Sequence, residues 1–365
     1  MPATNPHRPS RPPLRPAPAC LARAAAALLA LAACRDRDGP GTANREEPPQ
    51  PPSTTSRAFL PAEWDTVFRI GGTVDDTLLI RPSELAADSA GVYVLDFGAQ
   101  RVLAFGPDGR LRWSFGRRGQ GPGEFSAPRD IEVDGAGRVW VLDPENVRIT
   151  VLDRAGTPVA SIPLDRVGRV PDDLAPLADD QTMLIGFSAD SPLTRIDRAG
   201  RVLERQPFPW PGYARLNEVQ AQTETARDPV TGRWAAAFRL GDRFYLFDGP
   251  RWNGVYGRYV EPVDFPRPIE ERSGNTVTRR VARRISAARA LAFSPTRLYV
   301  LFAGTTPHRL RVVDTYTLDT GEYRGSFLLP RPVSTFTHAG GTIYALYDDP
   351  YPALVAWRPA GPPLP

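Results

Sequence analysis

The side chains able to do chemistry fall into four groups. Asp143, Asn146 and Arg148 form the first, echoed upstream by Asp96 and Arg101. A carboxylate, an amide and a guanidinium at this spacing suit either a repeated binding ring or a hydrogen-bonded turn in which arginine donates to aspartate. The same types recur at the same place in two units, whereas a ligand site differs from unit to unit, so this set is assigned to structure. The glycine-rich stretch Arg117-Arg118-Gly119-Gln120-Gly121-Pro122-Gly123-Glu124 is the second group. Its backbone is suited to cradling an anion, but it lacks the GxxxxGK[ST] order of a nucleotide loop. It is read as a connection, with Arg118, Glu124 and Arg129 kept as ligand-binding candidates. The third group is Arg267, Glu270, Glu271, Arg272, Arg279, Arg280, Arg283 and Arg284. Thr276 to Ala288 is expected to be a short helix or a long loop. Paired charges there read most simply as a solvated surface, yet long polar insertions carry function, which keeps Arg279 and Arg280 as candidates. Asp130, Asp173 and His338 make the fourth group, each near an expected strand start, where it lines a channel or merely ends a turn.

Sets for covalent or metal chemistry are missing. HExxH, CxxC and GxSxG patterns do not occur, and the only histidines are His7, His308 and His338. No catalytic residue is assigned, no metal ligands are identified and no cofactor is expected.

The elements that must position these residues are legible from a duplication. Asp88, Val92-Tyr93-Val94-Leu95-Asp96, Arg101-Val102 and Gly109 are echoed by Asp134, Val139-Trp140-Val141-Leu142-Asp143, Arg148-Ile149 and Gly156. Asp96 to Asp143, Arg101 to Arg148 and Gly109 to Gly156 are each 47 residues apart. A period of this size means a stacked or circular array of supersecondary units. Within one unit, Ile131 to Val133, Val139 to Leu142, Arg148 to Asp153 and Thr157 to Leu164 are predicted strands separated by Asp-x-x-Gly turns. Consecutive apolar residues in the second strand suit a sheet covered on both faces.

Four short antiparallel strands, radially repeated, describe a β-propeller blade. Phe115-Gly116-Arg117-Arg118-Gly119-Gln120-Gly121-Pro122-Gly123-Glu124-Phe125, followed by Ala127-Pro128-Arg129-Asp130-Ile131 and by Asp143, Asn146, Arg148 and Ile149, resembles the NHL-type repeat. The resemblance is strong over about 83–165; the first unit has Ala99 where the second has Asn146. It implies a propeller whose linker loops edge the central opening. Asp197-Arg198-Ala199-Gly200 closes a third unit beginning near Leu174. Trp234 to Phe238, Phe244 to Phe247 and Gly254 to Val260 suggest a fourth, and Ala290 to Leu329 supplies a fifth. Val333 to Trp357 holds only three strands, and Trp64 to Ile70 is the missing fourth. The expected fold is therefore all-β, a six-bladed propeller with the ring closed by an N-terminal strand. Function by analogy is a ligand-binding or protein-interaction scaffold; the alternative is a calcium-dependent propeller hydrolase or lyase with its site at the channel.

The flanks set the compartment. Arg8, Arg11, Arg15 and Arg23 precede an apolar run from Ala24 to Ala33, too short to span a bilayer. Leu31-Ala32-Ala33-Cys34 resembles a bacterial lipobox, in which Cys34 becomes the lipidated N-terminus. The expected organisation is a signal peptide over 1–33, a disordered tether over 34–58, the propeller over 59–359 and a disordered tail over 360–365. Arg35 in place of aspartate points to the outer membrane. All 45 basic residues are arginine, and removing 1–33 leaves 41 basic against 41 acidic. A neutral exported domain gives no case for nucleic acid, and the total absence of lysine reads as a compositional bias of the genome. With Cys20 removed and Cys34 acylated, no thiol remains to pair, so about 300 residues of monomer must be held by their core. Its partners are expected to be a membrane, through the lipid, and a protein, peptide or glycan. Cys34→Ala is expected to move the protein from the membrane to the soluble fraction on ultracentrifugation; unchanged fractionation would contradict lipidation.

Overall fold

The computed structural model describes residues 56–261, 263–273, 276–281, 286–305 and 307–364, with side chains at 268, 270–273 and 276–281 left out. Cys34, the leader, most of the tether, Arg283 and Arg284 lie outside the described residues. Blade I is β2 (Pro82–Asp88), β3 (Gly91–Asp96), β4 (Arg101–Phe105) and β5 (Leu111–Phe115). Blade II is β6 (Asp130–Val133), β7 (Val139–Asp143), β8 (Arg148–Leu152) and β9 (Pro158–Pro163). Blade III is β10 (Asp173–Pro176), β11 (Thr182–Ile185), β12 (Leu193–Ile196) and β13 (Val202–Gln206). Blade IV is β14 (Thr223–Arg227), β15 (Arg233–Phe238), β16 (Arg243–Asp248) and β17 (Arg251–Arg258). After a separate hairpin, β18 (Pro268–Ser273) and β19 (Thr276–Val281), blade V is β20 (Ala288–Phe293), β21 (Arg297–Phe302), β22 (Val312–Thr317) and β23 (Tyr323–Leu328). Blade VI joins β24 (Thr335–Ala339), β25 (Thr342–Tyr347) and β26 (Ala353–Pro359) to β1 (Trp64–Gly71). Every blade is a four-stranded antiparallel sheet. The innermost strands touch in the cycle β2, β6, β10, β14, β20, β24 and back to β2.

Apolar runs fold this way because each blade is covered on both faces. On β3, Tyr93 and Leu95 join the cluster shared with Ile131, Val139 and Val141 of blade II. Val92 and Val94, one step out of phase, join Tyr344, Leu346 and Leu354 of blade VI. The period of two thus divides one strand between two cores. The turns are equally determined: Asp153 Oδ1 accepts the N–H groups of Ala155 and Thr157 at 2.9 and 2.8 Å. Gly156 follows at φ +81°, where a Cβ would stand 2.6 Å from the Trp113 ring, so no other residue fits there.

The repeated Asp and Arg act as clamps on the linkers. Asp143, fully buried, accepts the N–H groups of Ser126 and Ala127 at 2.9 and 3.0 Å and the Asn146 amide at 2.7 Å. Asp96 accepts those of Ile80 and Arg81 at 3.1 and 2.9 Å. The expected donation from arginine to aspartate is made in neither blade: Arg101 Nε stands 3.8 Å from Asp96, an ion pair too long for a hydrogen bond, and Arg101 Nη2 donates to the Leu78 carbonyl at 2.7 Å. Arg148 instead donates to the carbonyls of Gly121 and Glu124 at 2.7 and 2.6 Å. Three donors already hold Asp143, and the guanidinium goes instead to linker carbonyls, which it shares with the Glu124 N–H and the Asn146 amide.

Three expectations about segments are corrected. Thr276–Val281, expected as helix or loop, is the strand β19, paired with β18 in a hairpin that sets Glu270 opposite Arg279 and Ile269 opposite Arg280. The β-branched Thr276, Val277, Thr278 and Val281 favour strand. The tail does not hang free: Ala360 N–H donates to Glu63 and Leu364 packs between blades V and VI. The tether ends early, because Arg57 pairs with Asp314 and Glu261 at 2.9 and 3.2 Å and lies over Phe302. Asp143→Ala strands three donors in a part-buried linker junction and is expected to cost roughly 3 kcal/mol. Urea denaturation measures this, with Asp143→Asn expected to lose less; an unchanged midpoint would contradict the clamp.

Candidate binding channel

An innermost strand has a sheet neighbour on one side only; its other edge faces the centre of the ring. Charged side chains on these six strands are therefore carried to one place from across the chain. Glu84 comes from β2, Asp130 and Glu132 from β6, Asp173 from β10, Glu224 and Arg227 from β14, Arg289 from β20 and His338 from β24. Between them lies a cavity of about 410 Å³, lined by β2, β6, β14, β20 and β24 and the loops that follow. Its walls alternate apolar groups such as Ile131, Ala226 and Leu291 with Glu84, Asp130, Glu132, Glu224 and Asp228.

Most of these groups are held in fixed hydrogen bonds. Asp130 accepts the N–H of Ile131 and, across to blade III, that of Leu174, each at 2.8 Å. Asp173 accepts the Thr223 hydroxyl at 3.2 Å. Glu224 meets Arg239 at 2.8 Å and Arg289 at 3.3 Å. Arg227 is spent on backbone, donating to the carbonyls of Pro176 and Val133 at 2.6 and 3.1 Å and so tying blades II, III and IV. Asp228 is capped by the Val230 N–H and the Thr231 hydroxyl. His338 Nδ1 donates to the Phe293 carbonyl at 2.8 Å, which leaves Nε2 as the ring's acceptor.

Negative charge exceeds positive in this lumen, and burial makes the charged forms unfavourable. Burial pushes Glu84 well above the carboxylate range, with the Glu224 charge adding to it. Burial does the same to Glu132, reinforced by Asp130, and to Asp173, again reinforced by Asp130. Asp130 is pushed up to about 7 by burial, against the two N–H groups that favour its anion. Even Glu224, beside two arginines, is raised by burial. Burial lowers His338, which favours the neutral ring.

The ring brings together only some of the residues singled out in the sequence. Asp130 and His338 line the cavity, and Asp173 sits beside Asp130 on the next blade. Arg118, Glu124 and Arg129 stay in the linker between blades I and II. Arg118 is exposed, Glu124 is tied to Arg117 and to the Gly121 N–H at 2.9 Å each, and Arg129 pairs with Asp172 at 2.5 Å. Arg279 and Arg280 belong to the hairpin strand β19. Sequence reasoning missed Glu84, Glu132, Glu224, Arg227 and Asp228. A signal was present in Asp130-Ile131-Glu132-Val133, where carboxylates alternate with branched apolar residues on a first strand.

Comparison with known proteins agrees with this architecture. Residues 72–168 match the family model described as 6-bladed beta-propeller. Human NHL repeat-containing protein 3 is 36% identical over 77 residues, 20% of this chain and 22% of that protein, and its mouse counterpart 35% over the same length. The fold is a six-bladed β-propeller, similar to NHL repeat-containing proteins over a fifth of the chain. The match spans about a fifth of the length of these curated relatives. Among solved structures, a Bacteroides fragilis protein named as exported aligns over 86% of this chain and 98% of its own, at 9% identity and a TM-score of 0.51. A Staphylococcus aureus virginiamycin B lyase aligns over 76% and 80% at 13% identity, with a TM-score of 0.45. Among the described residues of the propeller, no three or more His, Cys, Asp or Glu side chains converge as metal ligands, and no helix is long and apolar enough to cross a membrane.

The raised Asp130 has a consequence for stability. Its folded pKa lies above the ordinary value, so the folded state binds the extra proton between the two. Stability is fully present below the ordinary carboxylate value and declines as pH rises to about 7. Glu84 on β2, Asp173 on β10, Glu224 on β14 and Glu132 on its own strand face it, and Arg239 and Arg289 moderate the group. Asp130→Asn removes that titration. The melting temperature of the variant relative to wild type is expected to rise between about pH 4 and about pH 7. A difference independent of pH would show that Asp130 titrates normally.

Proposed function

We propose that this protein is a lipid-anchored propeller of the bacterial cell envelope that recognises a ligand in its central channel, acting as a binding module rather than by covalent chemistry. The observation that carries this reading is the channel cavity. It is large enough for a small ligand or a side chain presented by a peptide or glycan. Its polar groups differ from blade to blade: carboxylates from I, II and IV, imidazole from VI, and no lining residue from III. Such asymmetry suits recognition of one orientation, whereas the repeated Asp and Arg are spent on the linkers. His338, the one imidazole of the wall, has Nδ1 committed to a backbone carbonyl, which favours positioning over proton transfer. Lipidation at Cys34 and the proline-rich stretch after it would let the ring stand away from the membrane.

Thr337, half-buried on the wall, offers a way to fill the cavity. A broad small-molecule and peptide panel is expected to contain compounds that raise the melting temperature of wild type by several degrees and leave Thr337→Trp unmoved. If no compound stabilises wild type, or the variant responds equally, the channel is not the recognition site.

A further inference from the structure

We propose that the ligand engages the channel through an organic cation, an ammonium or guanidinium group on an apolar body, with Glu132 as the residue that receives it. This rests on the reading of the channel as a recognition site and names its chemistry.

Charge balance in the wall is the first ground. Six carboxylates line the cavity, on Glu84, Asp88, Asp130, Glu132, Glu224 and Asp228, against one arginine, Arg227. Asp88 has Arg154 at 3.3 Å, Glu224 has Arg239 and Arg289, and Asp228 is capped by its own turn. Arg227 is committed to two carbonyls. That leaves Asp130, Glu132 and Glu84, none of which has an ion-pair partner among the described residues; Asp130 already accepts two backbone N–H groups, those of Ile131 and Leu174.

Glu132 is the sharper case. Only 7% of it is exposed, yet it lies on the cavity wall. The charge of Arg227, whose donors are committed to two carbonyls, and then the N–H of Val133 are the groups that favour its anion. A buried carboxylate without a cationic partner costs several kcal/mol, and a nearly isosteric glutamine would avoid that cost. Such a group in a native wall needs a partner from elsewhere. Protonation relieves the strain while the channel is empty, and an incoming cation would displace the proton.

The arrangement also selects among cations. A bare calcium ion takes 6–8 oxygens at about 2.3–2.6 Å. Here no three carboxylate or imidazole groups of the described residues converge in that way. The charges are spread around a 410 Å³ space with apolar surface between them. That pattern matches a cation carried on a hydrophobic frame, whose charge meets a carboxylate while its body meets Ile131, Ala226 and Leu291.

Benzylamine and the neutral, nearly isosteric benzyl alcohol test this by isothermal titration calorimetry on the folded chain at neutral pH. Benzylamine is expected to bind about tenfold more tightly than benzyl alcohol, and Glu132→Gln to erase that preference while leaving benzyl alcohol unchanged. Glu84→Gln, expected to weaken benzylamine less, serves as the second variant should Glu132→Gln fail to fold. In each run, heat in buffers of different ionisation enthalpy is expected to report proton release on binding benzylamine. Equal affinity for amine and alcohol, undiminished amine binding by Glu132→Gln, or no binding of either at millimolar concentration would overturn the proposal. Stabilisation by neutral or anionic members of the broad panel, with amines inert, would leave the recognition channel standing and remove only its cationic ligand.

Discussion

Closure of the ring by β1 is the constraint on which the rest of this molecule depends. Trp64 to Gly71 pairs with Pro359 to Ala353 along the outer edge of blade VI. This joins the beginning of the described chain to its end. The Trp64 indole reaches past its own blade to the Leu328 carbonyl of blade V at 2.8 Å, and Gly72 N–H donates to Pro352. Arg57, buried against Asp314 and Glu261, continues the same strap along blade V. Without that strand, β26 would present an unpaired edge, and blade VI would lose part of what it packs against blade I. All six inter-blade cores are interlocked, since each central strand belongs to two of them.

A closed ring has an electrostatic consequence. It forces six inner strands to a common centre, so charges distant in sequence become neighbours with little water between them. Asp130 and Glu224 lie 94 residues apart in the chain, and the Glu224 charge nevertheless raises the proton affinity of Asp130 within one channel. The propeller could have carried small or apolar residues at these positions, as β20 largely does. Instead blades I, II, III and IV each contribute a carboxylate. The outer blade surfaces show the opposite behaviour, with arginines and carboxylates paired locally and exposed, worth little to stability. The molecule thus has a rigid, neutralised exterior and an under-neutralised centre.

Much of the architecture was legible in the sequence because it follows from local rules. Asp-x-x-Gly turns fix the hairpins, and runs such as Val139 to Leu142 are apolar at every position because both faces are covered. The 47-residue duplication then gives the unit. Blade IV was only partly legible: β14 reads Thr-Glu-Thr-Ala-Arg, with no apolar run to mark it as a strand. Its polarity reflects its place at the channel. The hairpin β18–β19 was misread for a related reason, since arginine-rich strands outside the ring lack a core-facing pattern. The channel itself was least legible. Glu84, Glu132 and Glu224 meet only through ring closure, and no spacing within the sequence encodes that meeting.

The central claim is that the inner strands hold carboxylates short of counter-charge in a poorly hydrated channel. Titration of side-chain carboxyl ¹³C resonances by NMR measures this directly, residue by residue. The account predicts that Asp130 titrates near neutrality and that Glu84, Glu132 and Asp173 titrate well above the ordinary carboxylate range. If all four ionise within the ordinary carboxylate range, the channel is an ordinary hydrated opening and the account is wrong.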